Sequence, residues 1–248
     1  PPLAALSAFH AAAFGAPWRT GYSYVANPFF ASVHAQGFMG IAAPRLNAFA
    51  GSLFPPCKGL FAWSPFLALG FGGLVSYART ARWPDAVLRV VQVLLPVLFV
   101  SSMVYWDGGW TVGQRHLTPL VPFLVAPAAL WIHRSRTAGA IAPGLAAASV
   151  MMTGLATVVF PHLPEDWANP FHDLVLPLAS GGCFAQVGPL GWLPSAPALG
   201  ALAGLFLLLA VASVAFRDGR LAGKALAVVL MVAIPLAWFD GTSRLVRK

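Results

Sequence analysis

The sequence predicts an all-α, polytopic transmembrane helical bundle with about six full spans, a partial N-terminal span and long extracytoplasmic loops. Of its 248 residues, 58% are apolar and only 9% are charged, whereas a soluble domain has about 25% charged residues. The apolar residues form blocks as long as a membrane-spanning helix. This composition excludes a soluble globular domain, a disordered chain and a collagen-like fibre. It also excludes an outer-membrane barrel, whose short strands alternate apolar and polar residues.

The spans follow from the six longest apolar blocks, which belong to one helical membrane domain covering residues 1–248. The predicted spans lie at about 59–78, 86–104, 117–133, 138–160, 198–216 and 225–239. Residues 1–15 are apolar but too short to cross a membrane alone. We therefore expect them to be the end of a further span, and the chain to be the C-terminal portion of a longer polypeptide.

Basic residues predict the orientation of the spans. Short loops with Arg or Lys lie on one side if the helices simply alternate, and such loops are typically cytoplasmic. We expect a bacterial inner membrane, with the cytoplasmic loops at 79–85, 134–137 and 217–224 and the outer loops at 16–58, 105–116 and 161–197. The net charge of +8 fits this pattern. It does not indicate nucleic-acid binding, because the basic residues form no stripe interleaved with aromatic residues.

Two cysteines, Cys57 and Cys183, both fall in predicted outer loops. An extracytoplasmic compartment permits disulfides, so the pair is a disulfide candidate. The alternative is two thiols that never meet. Their spacing does not indicate a metal site.

The run 105–119 contains the most informative polar residues. Its three glycines permit a tight backbone beside a ligand. Arg115 offers a fork of donors suited to phosphate, and Trp110 could line a lipid chain or stack on a sugar. His116 and Asp107 are weaker catalytic candidates, as groups that could move or accept a proton. The alternative is a tight connector whose Arg and His reach lipid headgroups.

A second candidate, Lys58, follows a Pro-Pro bend at the predicted membrane boundary. It could hold an anionic lipid phosphate, or it could reach the interface as an ordinary anchor. Acid and imidazole groups also occur together around Glu165, Asp166 and His172. These residues lack the spacing of a known metal motif, so no metal is predicted.

Other classes of function lack their usual sequence features. The sequence contains no Walker loop, dinucleotide fingerprint or G-x-S-x-G elbow, and we predict no cofactor. No Asp, Glu, Lys or Arg lies near the centre of a predicted span. Proton pumps and ion-coupled carriers usually need such residues, which weakens a transporter hypothesis.

Three ordered runs resemble a known family. They are Gly-x-Pro-x-x-Thr-Gly-Tyr near 15–22, Lys-Gly-Leu-Phe-x-x-Ser-Pro at 58–65, and Gly-Gly-Trp-x-x-Gly-x-Arg-His-Leu-x-Pro at 108–119. Together they resemble the C-terminal half of bacterial GT-C-type membrane glycosyltransferases similar to the protein mannosyltransferase (family 39) group. The later run 169–178 has the same character.

This resemblance implies inverting transfer of a sugar from a polyprenyl-phosphate donor on the outer face of the membrane. Arg115 and Lys58 would hold the donor phosphate. The base that the resemblance implies is an Asp in a first outer loop far upstream, and residues 1–248 lack that loop. Membrane lipid is an expected partner.

The alternative is a non-catalytic structural or accessory subunit of a larger membrane protein complex. Small residues in the run 138–148 would permit close helix packing with other membrane subunits.

Overall fold

The computed structural model describes residues 2–183, and regular structure in this part of the chain is helical. It comprises the α-helices α1 (Pro2–Phe14), α2 (Pro28–His34), α3 (Leu46–Leu53), α4 (Leu60–Trp63), α5 (Leu69–Ala78), α6 (Trp83–Ser102), α7 (Val121–Arg134), α8 (Arg136–Val159) and α9 (Leu176–Ser180). Three 3₁₀ turns (Gly21–Tyr24, Pro65–Ala68 and Arg115–Leu120) and one π-helical turn (Phe171–Val175) complete it. The predicted spans 198–216 and 225–239 and the predicted loop 217–224 lie outside the described residues.

Three helical segments in residues 2–183 are long and apolar enough to cross a membrane. They are Trp83–Ser102, Arg115–Arg134 and Arg136–Val159, with 20, 20 and 24 residues. At 1.5 Å per residue, twenty helical residues extend about 30 Å, the thickness of the hydrocarbon core. The helices predicted at 86–104, 117–133 and 138–160 are thus confirmed within a few residues at each end.

The predicted span at 59–78 is wrong as one continuous helix. The chain there forms α4, then a 3₁₀ turn, then α5, and the part after the break covers only Pro65–Ala78. Pro65 has no N–H to donate and disfavours helical backbone in the residue before it. Ser64 accordingly adopts φ −136° and ψ 69°. The break allows α4 to pack inside the end of the bundle where the polar loops gather.

Helices α5 and α7 pack with their backbones close together, because α5 presents glycines to α7. A Cβ atom added to Gly70 would lie 2.7 Å from the Leu124 carbonyl oxygen, and one added to Gly73 would overlap the Pro127 carbonyl. Small residues permit such close approach between membrane helices.

Two buried clusters hold the end of the bundle beneath the polar loops. In one, Leu53 of α3 and Phe61 of α4 pack with side chains of α6 and with Leu117, which follows the glycine-containing loop. In the other, Trp63 packs with α8 and with Phe171 of the π-helical turn. The segments before and after the long helices are therefore fixed to the same core.

The loops on either side of the long helices gather at two separate places. Loops 79–85 and 134–137 meet where the Arg134 side chain donates a hydrogen bond to Thr80 Oγ1 at 3.1 Å. The predicted outer segments 16–58, 105–116 and 161–183 meet each other in the site described next. This grouping agrees with simple alternation of the helices, while the cytoplasmic side remains a prediction.

Candidate functional site

A glycine-containing loop after α6 forms the frame of the site. Gly108 and Gly109 adopt φ values of 77° and 75°, a left-handed conformation in which glycine has no Cβ penalty. Asp107 Oδ1 accepts a hydrogen bond from the Gly109 N–H at 2.9 Å. The Gln114 side chain donates to the Trp106 carbonyl at 2.8 Å and closes the loop. The sequence forms a tight, internally bonded turn here, as its glycines predict.

Lys58 supports this loop from behind. Its side chain is only 1% exposed, and its ammonium donates to the carbonyl oxygens of Gly109 and Thr111, the latter at 3.0 Å. Burial lowers the pKa of Lys58, and the nearby Asp107 carboxylate acts in the opposite direction. Lys58 does not line the cavity in front of the loop. The structure thus places it as a support for the loop rather than at the surface that a ligand would touch.

A cavity of about 720 Å³ opens in front of the loop. Its walls come from the three predicted outer segments: the turn 21–25 with α2, the loop 103–116, and the segment after α8. The lining residues are Tyr22, Val25, Phe29, Phe30, Val33, His34, Met39, Gly40, Met103, Tyr105, Gly108, Gly109, Trp110, Arg115, His116 and Glu165. Arg115, Trp110 and His116, which the sequence singled out, lie together here.

Arg115 is exposed and faces this cavity. In residues 2–183 its guanidinium makes no hydrogen bond or ion pair with the protein. Trp110, which lines the same cavity, is 58% exposed. A guanidinium whose donors have no partner in the described part of the chain, in a cavity that also holds an exposed indole, can bind an anion attached to an apolar or ring-shaped group.

Glu165 brings a carboxylate to the same cavity. Its Oε2 accepts a hydrogen bond from the Tyr105 hydroxyl. Burial raises the pKa of Tyr105, and the hydrogen bond to Glu165 raises it further, so the phenol stays neutral and acts as a donor. The Tyr105 ring packs edge-on against Phe29 and Phe30, each with a ring-centroid distance of 5.7 Å.

The sequence indicates Glu165 only as one of several acid and imidazole groups and does not predict its place in the site. The signal was present, since this is the single glutamate among seven acidic residues in the chain. Glu165 lies 60 residues from Tyr105 in the sequence, so the pairing cannot be predicted from neighbouring residues. Asp107, by contrast, was a catalytic candidate, but it does not line the cavity and caps the Gly109 N–H instead.

The predicted disulfide between Cys57 and Cys183 is not formed, and both cysteines are free thiols. Cys57 is half-buried in a tight turn closed by the Gly59 N–H and the Pro55 carbonyl at 2.6 Å. Burial raises the pKa of its thiol. Cys183 is exposed after α9, where its sulfur contacts the Gly181 carbonyl. Each thiol is thus held by its own local turn.

The acid and imidazole groups after α8 do not converge on one point. His172 pairs with its neighbour Asp173 at 2.8 Å on the surface, whereas Glu165 faces the cavity. Within residues 2–183, no group of three or more His, Cys, Asp or Glu side chains is arranged to hold a metal ion.

Comparison with known proteins finds no matching family model, no similar curated protein and no similar solved structure.

Proposed function

We propose that this protein is a membrane glycosyltransferase of GT-C type that binds the phosphate of a polyprenyl-phosphate sugar in the cavity at Arg115. The supporting observation is a guanidinium that faces a 720 Å³ cavity and has no partner in the described part of the chain. The cavity also has aromatic walls on the side of α2. A charged, directional donor next to apolar rings suits a ligand that joins a phosphate to a lipid and a sugar.

Arginine suits the leaving group of such a transfer. Its planar fork can donate two parallel hydrogen bonds to phosphate oxygens. As the bond between sugar and phosphate breaks, negative charge grows on the phosphate, and a fixed cation beside it stabilises that charge. The buried ammonium of Lys58 lies behind the same loop and adds positive potential without touching the ligand.

Glu165 provides the proton acceptor in this proposal. Tyr105 occupies one carboxylate oxygen, and the other is available to a hydroxyl group of the acceptor. The hydroxyl proton passes to Glu165 while the hydroxyl oxygen attacks the anomeric carbon. The bond from that carbon to the phosphate oxygen breaks, and polyprenyl phosphate leaves beside Arg115. His116 lines the same cavity and is the second proton-transfer candidate.

Binding of polyprenyl phosphate tests the proposal without requiring turnover. The purified full chain in lipid nanodiscs is titrated with polyprenyl phosphate, and the same titration is made on Arg115→Gln. Loss of charge-assisted hydrogen bonds should weaken binding about 10- to 150-fold. Arg19→Gln is the matched control, because Arg19 is also exposed in a predicted outer segment but does not line the cavity. Equal affinities of the two variants would refute the proposal.

An accessory subunit is the second candidate, and α6 is the observation that favours it. Much of this helix is apolar and exposed, at Val87, Leu88, Val90, Val91, Leu94, Leu95, Leu98 and Phe99. A neighbouring membrane subunit could cover this surface. Stoichiometric co-purification of another membrane protein, together with no polyprenyl-phosphate binding, would support this function over the enzyme.

A further inference from the structure

A second groove lies where loops 79–85 and 134–137 meet, on the side of the bundle formed by α5 and α7. Its volume is about 570 Å³. It is lined by Gly72, Val75, Ser76, Arg79, Thr80, Trp131 and Arg134. None of these residues lines the cavity at Arg115.

The part of the groove nearest the span is apolar. Gly72 has no side chain, and the Trp131 ring lies against its backbone so closely that a Cβ atom would overlap the ring. Val75, on the same helix, is 53% exposed. Together these residues form an open apolar surface with an indole at its edge. Trp at the end of a membrane helix typically lies at the level of the lipid headgroups.

The other part of the groove is cationic. Arg79 and Arg134 are both exposed, and no acidic side chain forms an ion pair with either of them in residues 2–183. Arg134 is already oriented by its hydrogen bond to Thr80 Oγ1 at 3.1 Å. A guanidinium has five donors, so this contact leaves most of them available. The groove thus combines two arginines with a lipid-compatible wall.

We propose that this groove binds the phosphate headgroup of an anionic membrane phospholipid. The phosphate lies between Arg79 and Arg134, and one acyl chain follows Val75 and the Trp131 ring along α5 and α7. Basic pockets between membrane helices attract anionic headgroups in this way. The inference is independent of the proposed glycosyltransferase function, because it concerns other residues at another part of the bundle.

Retention of lipid tests the groove. The full chain is delipidated in mild detergent, incubated with phosphatidylglycerol or phosphatidylcholine, and the bound lipids are counted by native mass spectrometry. Each arginine near an anionic headgroup should contribute about fivefold in affinity. The double variant Arg79→Gln/Arg134→Gln should therefore bind phosphatidylglycerol about 25-fold more weakly. Arg82→Gln is the matched control, since Arg82 belongs to the same loop but does not line the groove.

Any of three lipid-binding results would overturn the inference. They are equal retention of phosphatidylglycerol by the double variant and the control, equal retention of the two lipids by the unmodified protein, and displacement of phosphatidylglycerol by millimolar inorganic phosphate. If the double variant does not fold, each single substitution is measured instead. Thermal stabilisation of the unmodified protein by added phosphatidylglycerol then provides an independent readout, because a ligand that binds only the folded state raises its stability. No such stabilisation would likewise overturn the inference.

Discussion

Substitution of Lys58 by Met removes the support beneath the glycine-containing loop while keeping a side chain of similar length. Lys58 is 1% exposed, and its ammonium donates to the carbonyls of Gly109 and Thr111. Without it the buried Gly109 carbonyl and the half-buried Thr111 carbonyl lose a charge-assisted donor. Each unsatisfied acceptor costs about 1–3 kcal/mol. The variant no longer has the desolvation cost of a buried ammonium, which offsets part of that loss. We therefore expect a net destabilisation of about 2 kcal/mol.

Reversible thermal or denaturant unfolding in detergent, followed by tryptophan fluorescence, measures the effect. Arg19→Met is the control, because it removes an exposed cation and should change stability by less than about 0.5 kcal/mol. A second readout is affinity for polyprenyl phosphate, which should fall in Lys58→Met because the loop that presents Arg115 loses its shape. If Lys58→Met is as stable as Arg19→Met and keeps full affinity, the ammonium does not hold the loop.

Two further substitutions test the packing and the cavity. Gly73→Ala should destabilise the protein by about 3 kcal/mol, because the new Cβ overlaps the Pro127 carbonyl. Gly21→Ala is the control and should have little effect in the same unfolding assay, because its Cβ meets only ordinary contacts. Equal stabilities of the two variants would contradict the close α5–α7 packing. Because the pKa of Tyr105 is raised in the folded protein, its neutral phenol stabilises the fold. This stabilisation is complete below about pH 10 and is lost as the pH rises through the folded-state pKa. Unfolding measured from about pH 9 to pH 11 should therefore show a steeper alkaline loss for the unmodified protein than for Tyr105→Phe. Identical slopes would show that burial and the hydrogen bond to Glu165 do not raise the pKa of the phenol.

The lengths of apolar runs predict much of the helical fold, because a helix that crosses a bilayer must be both long and apolar. This is why α6 and α8 lie within a few residues of their predicted bounds. The length and hydropathy of the apolar run wrongly predict one continuous helix at 59–78, because average hydropathy does not show that Pro65 breaks the helix. Hydropathy also cannot predict that glycines let α5 approach α7, because that contact depends on which face of α5 is presented.

The site was predictable where its residues are neighbours in sequence. Trp110, Arg115 and His116 lie on one loop and face one cavity. Glu165 reaches them only through tertiary packing. For Lys58 the sequence predicts too many roles. A lysine after a Pro-Pro bend is equally compatible with a ligand contact, an interfacial anchor and a buried support. Only its burial and its two carbonyl partners distinguish them.

Photochemical labelling with a polyprenyl phosphate that bears a diazirine next to the phosphate tests the central claim most directly. The reagent is applied to the full chain in nanodiscs, and the labelled residues are mapped by mass spectrometry. We expect labelling in the cavity, at Trp110 and on the α2 wall at Phe29 and Phe30, and loss of that labelling in Arg115→Gln. Labelling confined to the exposed face of α6, or unchanged in Arg115→Gln, would contradict it.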